Sequence, residues 1–273
     1  MKRLLSIILI LIPVVIGYAE GAQRIISLVP SVTEEIYLLN AEDKLIANTL
    51  YCTKPEAAKK KEKVGTVVEI NVEKIVQLKP DLVLASSLTN PGSTRKLKKL
   101  GIEVITFMQP KNFPELSRQF LQLAVVTGKG KEAKIIIDTA ERKISSVKEN
   151  IEGSEKVKVF AQIGAKPLFT ANKDSFINDL IELSGGINIA RDVKIGFYSR
   201  EEVLRQNPDV IIITTMGIGE QEKGNWQKYA TLNAARNNRI HIVDPYKFCS
   251  PTPVTFVEAL EEMTQILHPE SSR

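Results

Sequence analysis

From Lys131 to Glu152 the chain runs without a glycine, a proline or any strand-like alternation. Apolar residues fall at Ala133, Ile137, Ala140, Ile144, Val147 and Ile151, a 4-3-4-3-4 spacing. That rhythm keeps one face apolar at 3.6 residues per turn and predicts a single amphipathic helix about 33 Å long. A helix of that length spans a whole domain. Gly128-Lys129-Gly130-Lys131 forms the turn before it, and Gly153-Ser154 end it.

On both sides of this helix, strand and helix alternate. RIISLV (24–29) is a short strand ended by Pro30, and SVTEEIYLLN predicts a helix with Ser31 and Glu34 as a capping box. KLIANTL is a second strand, followed by a polar loop from Tyr51 to Lys63. NVEKIVQLKP is a helix stopped by Pro80, and DLVLASS is a buried strand. STRKLKKLG is a helix ending near Gly101, and IEVITFM follows as a strand. After the long helix the alternation resumes with VKVFAQI. The fold class expected is α/β: two Rossmann-like lobes with mostly parallel sheets, joined by one long α-helix.

The two halves share a segment. VEKIVQLKPDLVLASS (72–87) aligns with REEVLRQNPDVIIITT (200–215) at a constant offset of 128 residues. Glu73 falls on Glu201, Pro80 on Pro208 and Asp81 on Asp209, with the apolar strand positions in register. Pro-Asp is a common helix-to-strand connector, but the ungapped run and the matched glutamate favour two related lobes. The expected organisation is 23–129 as the first lobe, 130–153 as the linking helix and 154–268 as the second lobe.

Lys2-Arg3 precede an apolar run, and Gly17 and Ala19 stand at small-residue positions before Glu20, which predicts a cleaved secretory signal over 1–19. An uncleaved membrane anchor is the alternative. No cysteine follows the apolar core, so a lipoprotein anchor is not expected. Removing 1–19 takes two of the 37 basic residues and none of the 32 acidic ones, which leaves a net charge of +3. Nothing in that balance resembles the basic stripe of a nucleic-acid binder. With 43% hydrophobic and 25% charged residues, the chain is an ordinary globular one, expected as an exported, periplasmic monomer.

Enzymatic equipment is not visible. Gly217-Ile-Gly219 follows a strand, but a dinucleotide fingerprint would need glycine where Glu222 stands. The Gly128–Lys131 turn has no Ser or Thr after the lysine and no glycine at Val125, as a P-loop would require. His241 sits inside the strand RIHIVD and His268 in the tail, so neither suits a catalytic or metal role. Two cysteines exclude a disulfide framework and a four-cysteine zinc site; no resident metal or cofactor is expected.

RIISLVPSVTEEIYLLNAEDKLIA, YCTKPEAAKK, VGTVVEINVEKIVQLKPDLVLAS, LKKLGIEVITF, FAQIGAKPLFTANKDSFINDLIELSGGINIARD and YSREEVLRQNPDVIIITT together resemble the periplasmic binding proteins for iron–siderophores, haem and vitamin B12. The resemblance spans nearly the whole mature chain and is closest to the cobalamin-binding branch. It implies capture of a metal chelate between two lobes and delivery to an ABC permease in the inner membrane. Where the cobalamin branch often carries a tryptophan, this chain has Val67, and its single tryptophan, Trp226, lies in a polar stretch. Siderophore and haem carriers of the same family remain alternatives, with an exported tetrapyrrole or chelate enzyme behind them.

Ligands of α/β lobes sit beyond the carboxyl ends of the parallel strands. Those ends bring Pro30, Ser31, Tyr51, Cys52, Ser87 and Met108 to the cleft from the first lobe. From the second they bring Lys166, Phe169, Met216, Tyr246 and Cys249, and the family pattern adds Phe197 and Tyr198. Aromatic faces suit a flat macrocycle, though each aromatic could equally be packing. Tyr51 matches a tyrosine that contacts cobalamin in the resembling branch. Glu73 and Glu201 open helices capped by Asn71 and Ser199, and the resemblance implies that they dock on permease arginines. Cys52 and Cys249 are expected on opposite cleft walls, either bridged, bland or ligand-contacting, with the unbridged state favoured. A rigid linking helix also implies small lobe motion.

Overall fold

The computed structural model describes residues 21–215 and 217–272. The predicted signal, 1–19, and the site candidate Met216 lie outside the described residues. No helix among the described residues is long and apolar enough to cross a membrane.

The first half contains β1 (Ile25–Ser27), α1 (Pro30–Leu38), β2 (Leu45–Asn48), β3 (Glu62–Lys63), α2 (Val72–Gln77), β4 (Leu82–Ser86), α3 (Pro91–Lys99), β5 (Glu103–Phe107) and α4 (Phe113–Thr127). Its sheet is wholly parallel, in the order β3-β2-β1-β4-β5. Successive side chains of a strand point to opposite faces. Ile25, Leu82 and Leu84 therefore pack with α1 and α4, while Ile26, Val83 and Ala85 pack with Ile75 of α2 and Leu97 of α3. Covering both faces explains why these strands are almost continuously apolar.

Helix α5 (Gly130–Asn150) follows. Its buried residues are Ala133, Ile137, Ala140, Ile144 and Val147, the spacing seen in the sequence. One stripe serves two cores: Ala133 and Ile137 belong to the first lobe's, and Ala140, Ile144 and Val147 to the second's.

The second half contains β6 (Val157–Ala165), β7 (Leu168–Thr170), α6 (Phe176–Leu183), β8 (Gly186–Asn188), α7 (Arg200–Gln206), β9 (Val210–Ile213), α8 (Gly219–Gln227), α9 (Asn233–Arg236), β10 (Ile240–Ile242), α10 (Pro245–Cys249) and α11 (Pro253–Leu267). Its strand order is β10-β9-β6-β7, with β8 also paired to β6; all pairs are parallel except the β6–β7 hairpin.

The repeated segment takes the same place in both sheets, as α2–β4 beside β1 and as α7–β9 beside β6. Its aspartates do the same work. Asp81 accepts hydrogen bonds from the backbone N–H groups of Gln23 (2.7 Å) and Arg24 (3.0 Å), and Asp209 accepts from that of Lys158 (3.0 Å). Each holds the neighbouring strand at its amino end, where the ladder leaves N–H groups unpaired.

One expectation needs correction. Helix α1 starts at Pro30 with Val29 as N-cap, so Ser31 and Glu34 make no capping box. Proline's fixed φ and missing N–H suit the first helical position, which moves the start forward. Trp226 is fully buried: its indole N–H donates to Gln162 Oε1 (2.6 Å) and Phe160 packs edge-on against it. The polar residues around it are the outer face of α8. Two fifteen-residue helices, α4 and α11, also flank the linking helix, and Phe113 of α4 packs on Phe256 of α11 at 5.1 Å. The linking helix α5 thus joins the halves with α4 and α11 packed along it.

Candidate functional site

Between the carboxyl edges of the two sheets lies a cavity of ≈ 200 Å³. The first lobe lines it with Pro30 and Ser31 at the start of α1, Ser86, Ser87 and Leu88 after β4, and Phe107 and Met108 at the end of β5; the second adds Cys249, Ser250 and Pro251. Of the residues expected from sequence, Pro30, Ser31, Ser87, Met108 and Cys249 come together here. Val67, which stands where the resembling branch often has tryptophan, lines it as well.

Other candidates do not line this cavity. Tyr51 is exposed beyond β2 beside Leu50. Phe169 on β7 and Phe197 ahead of α7 form an edge-to-face pair at 5.5 Å, both partly exposed. Gly196 makes that pair possible: its φ is +78°, and a Cβ there would lie 2.6 Å from the Phe169 ring. Lys166 is exposed in the β6–β7 turn.

Two candidates turn away from the cleft. Tyr198 stacks on Phe160 in the second lobe's core at 5.7 Å. Cys52 is 0% exposed, its thiol within 3.1 Å of Thr33 Oγ1 and 3.2 Å of Thr49 Oγ1 beneath α1. The polar pocket under α1 draws it inward, so the two cysteines do not face each other across the cleft. Both are free thiols, and burial, set against a hydrogen bond to Thr214, pushes that of Cys249 up. No group of three His, Cys, Asp or Glu side chains among the described residues could hold a metal ion.

The lobes touch on both flanks of the cavity. Lys54 pairs with Asp244 (3.6 Å) and caps the Tyr246 ring at 4.0 Å. The Tyr246 hydroxyl faces Glu34; burial first, and then the Glu34 charge, raise its pKa. On the other flank Lys111 pairs with Asp174 (2.9 Å), and the Phe113 N–H donates to Asp179 (2.8 Å). Sequence reasoning missed Lys54, Lys111 and their partners, because pairs across lobes leave no local pattern. It also missed Glu35, which lines the cavity and is only 3% exposed. A signal existed: Glu35 lies between Val32, Ile36 and Leu39 on the buried side of α1, where a carboxylate is out of place.

Glu73 and Glu201 are exposed in the first turns of α2 and α7. Asn71 and Ser199 cap those helices through hydrogen bonds to the N–H groups of Lys74 (2.9 Å) and Glu202 (3.1 Å).

Comparison with known proteins agrees with this architecture. Residues 25–246 match the family described as periplasmic binding protein. The chain belongs to that family. A substrate-binding lipoprotein of an ABC transporter in Bacillus subtilis is 30% identical over 91% of this chain and 81% of its own length. A vitamin B12-binding protein of Yersinia pestis is 33% identical over 72% of this chain and 71% of its own. The crystal structure of the periplasmic vitamin B12 binding protein of Vibrio cholerae superposes with a TM-score of 0.80 at 27% identity, over 93% of this chain and 99% of that one. This periplasmic binding protein therefore shares its two-lobed α/β fold with solved relatives along nearly its whole length.

Proposed function

We propose that this chain is the extracytoplasmic substrate-binding component of an ABC importer and that it captures a corrinoid, cobalamin first, between lobes 23–129 and 154–268. The observation that carries the choice is the composition of the cavity. Its walls carry apolar side chains, neutral Ser and Gln groups and one carboxyl, Glu35, and no Lys, Arg or His lines it. A large, flat macrocycle with an uncharged rim suits such a site, together with the exposed Tyr51 and Phe169–Phe197 pair nearby. Acidic siderophores and the carboxylates of haem would meet no cation there.

The rest of the reading follows from that role. Residues 1–19 direct export and are removed, and the mature monomer works outside the inner membrane. Binding rather than catalysis is supported by the family, whose named relatives are binding proteins. Glu73 and Glu201, one per lobe and both exposed in the first turn of their helices, are the contacts with the permease.

Titration of the purified protein with cyanocobalamin, hemin and a ferric catecholate, followed by visible absorbance, tests the ligand. Saturable binding of cyanocobalamin with a Kd of about 1 μM or tighter is expected, about −8 kcal/mol. Binding of hemin or the ferric chelate in its place would reassign the protein to another branch of the family.

A further inference from the structure

We propose that Glu35 is a specificity-determining residue of the cleft: it presents a neutral carboxylic acid to a neutral carboxamide on the chelate rim, and so selects amide-rimmed over carboxylate-rimmed ligands. This rests on the reading of the cleft as a chelate site.

Glu35 is almost completely buried on α1 and lines the cavity between the lobes. Among the described residues its carboxyl has neither a hydrogen-bond partner nor a counter-ion. Its oxygens are not among the fully enclosed side-chain atoms that lack a partner, as Glu34 Oε2 is, so they are open to the cavity and to whatever polar group a ligand brings there. The groups around it supply no positive charge. On its own helix the neighbour is Glu34; α4 contributes Leu116 and Gln119; α10 contributes Cys249, whose thiol burial keeps protonated. On α11, Glu258 faces Glu34. Lys54 is engaged by Asp244 and Tyr246 on the flank.

In those surroundings an ionised Glu35 would be an uncompensated buried charge, and the protonated form prevails. Burial, and then the adjacent Glu34 charge, push its pKa well above the usual carboxylate range. A protonated carboxyl has one donor and one acceptor side by side. A primary carboxamide complements both: the acid O–H donates to the amide oxygen, and the amide N–H donates to the acid carbonyl. A ligand carboxylate can take the proton's hydrogen bond, but its charge then lies in a cavity with no cation to pair it.

Cyanocobalamin and its monocarboxylic acids, in which one peripheral amide is hydrolysed, are the probes, titrated against wild type, E35Q and E35L. Wild type should prefer at least one amide form over the matching acid by about tenfold or more, the scale of one hydrogen bond. E35Q retains a donor and an acceptor and should bind cyanocobalamin within about threefold of wild type; E35L should weaken it about tenfold. As pH rises and Glu35 ionises, wild-type affinity should fall while that of E35Q stays level, a difference that a purely structural role would not produce. Thermal melts of both variants establish that they fold. Tight cyanocobalamin binding left unchanged by E35L, or an equal pH response in E35Q, would overturn the role of Glu35 alone. Absence of all cobalamin binding in wild type would overturn the ligand assignment and this inference with it.

Discussion

Glu35 in the first lobe and Glu222 in the second are both almost completely buried, yet their surroundings are opposite. Glu35 faces a cavity without a partner. Glu222 receives hydrogen bonds from Gln162 (2.7 Å), Asn225 (3.0 Å) and the Arg200 guanidinium, which also covers the Trp226 ring at 4.4 Å. Burial raises both carboxyls, but at Glu222 those hydrogen bonds outweigh it and hold the pKa below its usual value. The contrast separates two uses of a buried charge. In the second lobe it ties α7, α8 and β6 together beneath Glu201; in the first it leaves a polar group open to whatever fills the cleft.

The largest effect is expected where the lobes are most alike. Charge reversal at both Glu73 and Glu201 should abolish uptake in a transport assay while ligand affinity stays within about twofold; unchanged uptake would remove both from the permease contact. Next comes Glu222→Ala, which leaves Arg200 beside a buried void. It should cost about 3 kcal/mol in denaturant unfolding, toward the low end for a broken buried pair because Arg200 is partly exposed. Loss of less than about 1 kcal/mol would show the network to be dispensable.

The two glutamates should also give opposite pH responses on either side of their ordinary pKa of 4.5. Because the folded-state pKa of Glu222 is lowered, its stabilisation is complete above 4.5 and is lost as pH falls through the folded value. Because that of Glu35 is raised, the folded state holds its proton more tightly, and wild type loses stability as pH rises from 4.5 toward the folded value. Glu35→Gln should therefore gain progressively on wild type as pH rises above 4.5 and match it near pH 4. Melting curves across pH 3.5–8 check both slopes, and parallel slopes for the two variants would erase the distinction. The smallest effect expected is in shape. With α4, α5 and α11 packed together, X-ray scattering should show only a slight compaction on ligand addition; a large one would mean that the lobes hinge freely.

The linking helix was legible because its signal is local: five residues on one face of α5 are buried at the spacing that 3.6 residues per turn requires. The repeated Pro-Asp segment was legible for the same reason, and its aspartates turned out to hold equivalent strand ends. Strand ends located Pro30, Ser31, Ser87, Met108 and Cys249 of the cavity wall, since chain direction fixes which edge of a parallel sheet a loop leaves from. Inward or outward orientation of the remaining residues was not legible. Tyr51 and Cys52 are adjacent, but one is exposed and the other lies beneath α1, where Thr33 and Thr49 offer it polar contacts. Tyr198 likewise follows an exposed Phe197 and turns onto Phe160.

Local periodicity and chain direction thus determined by themselves that this protein has two α/β halves, a helix between them and a cavity at their facing edges. Tertiary structure alone decided which side chains line that site. The Lys54–Asp244 and Lys111–Asp174 pairs, the vacant surroundings of Glu35 and the three donors on Glu222 join residues far apart in the chain. Burial and pairing set the charge state of a carboxyl, and both are properties of the space around it rather than of its neighbours in sequence.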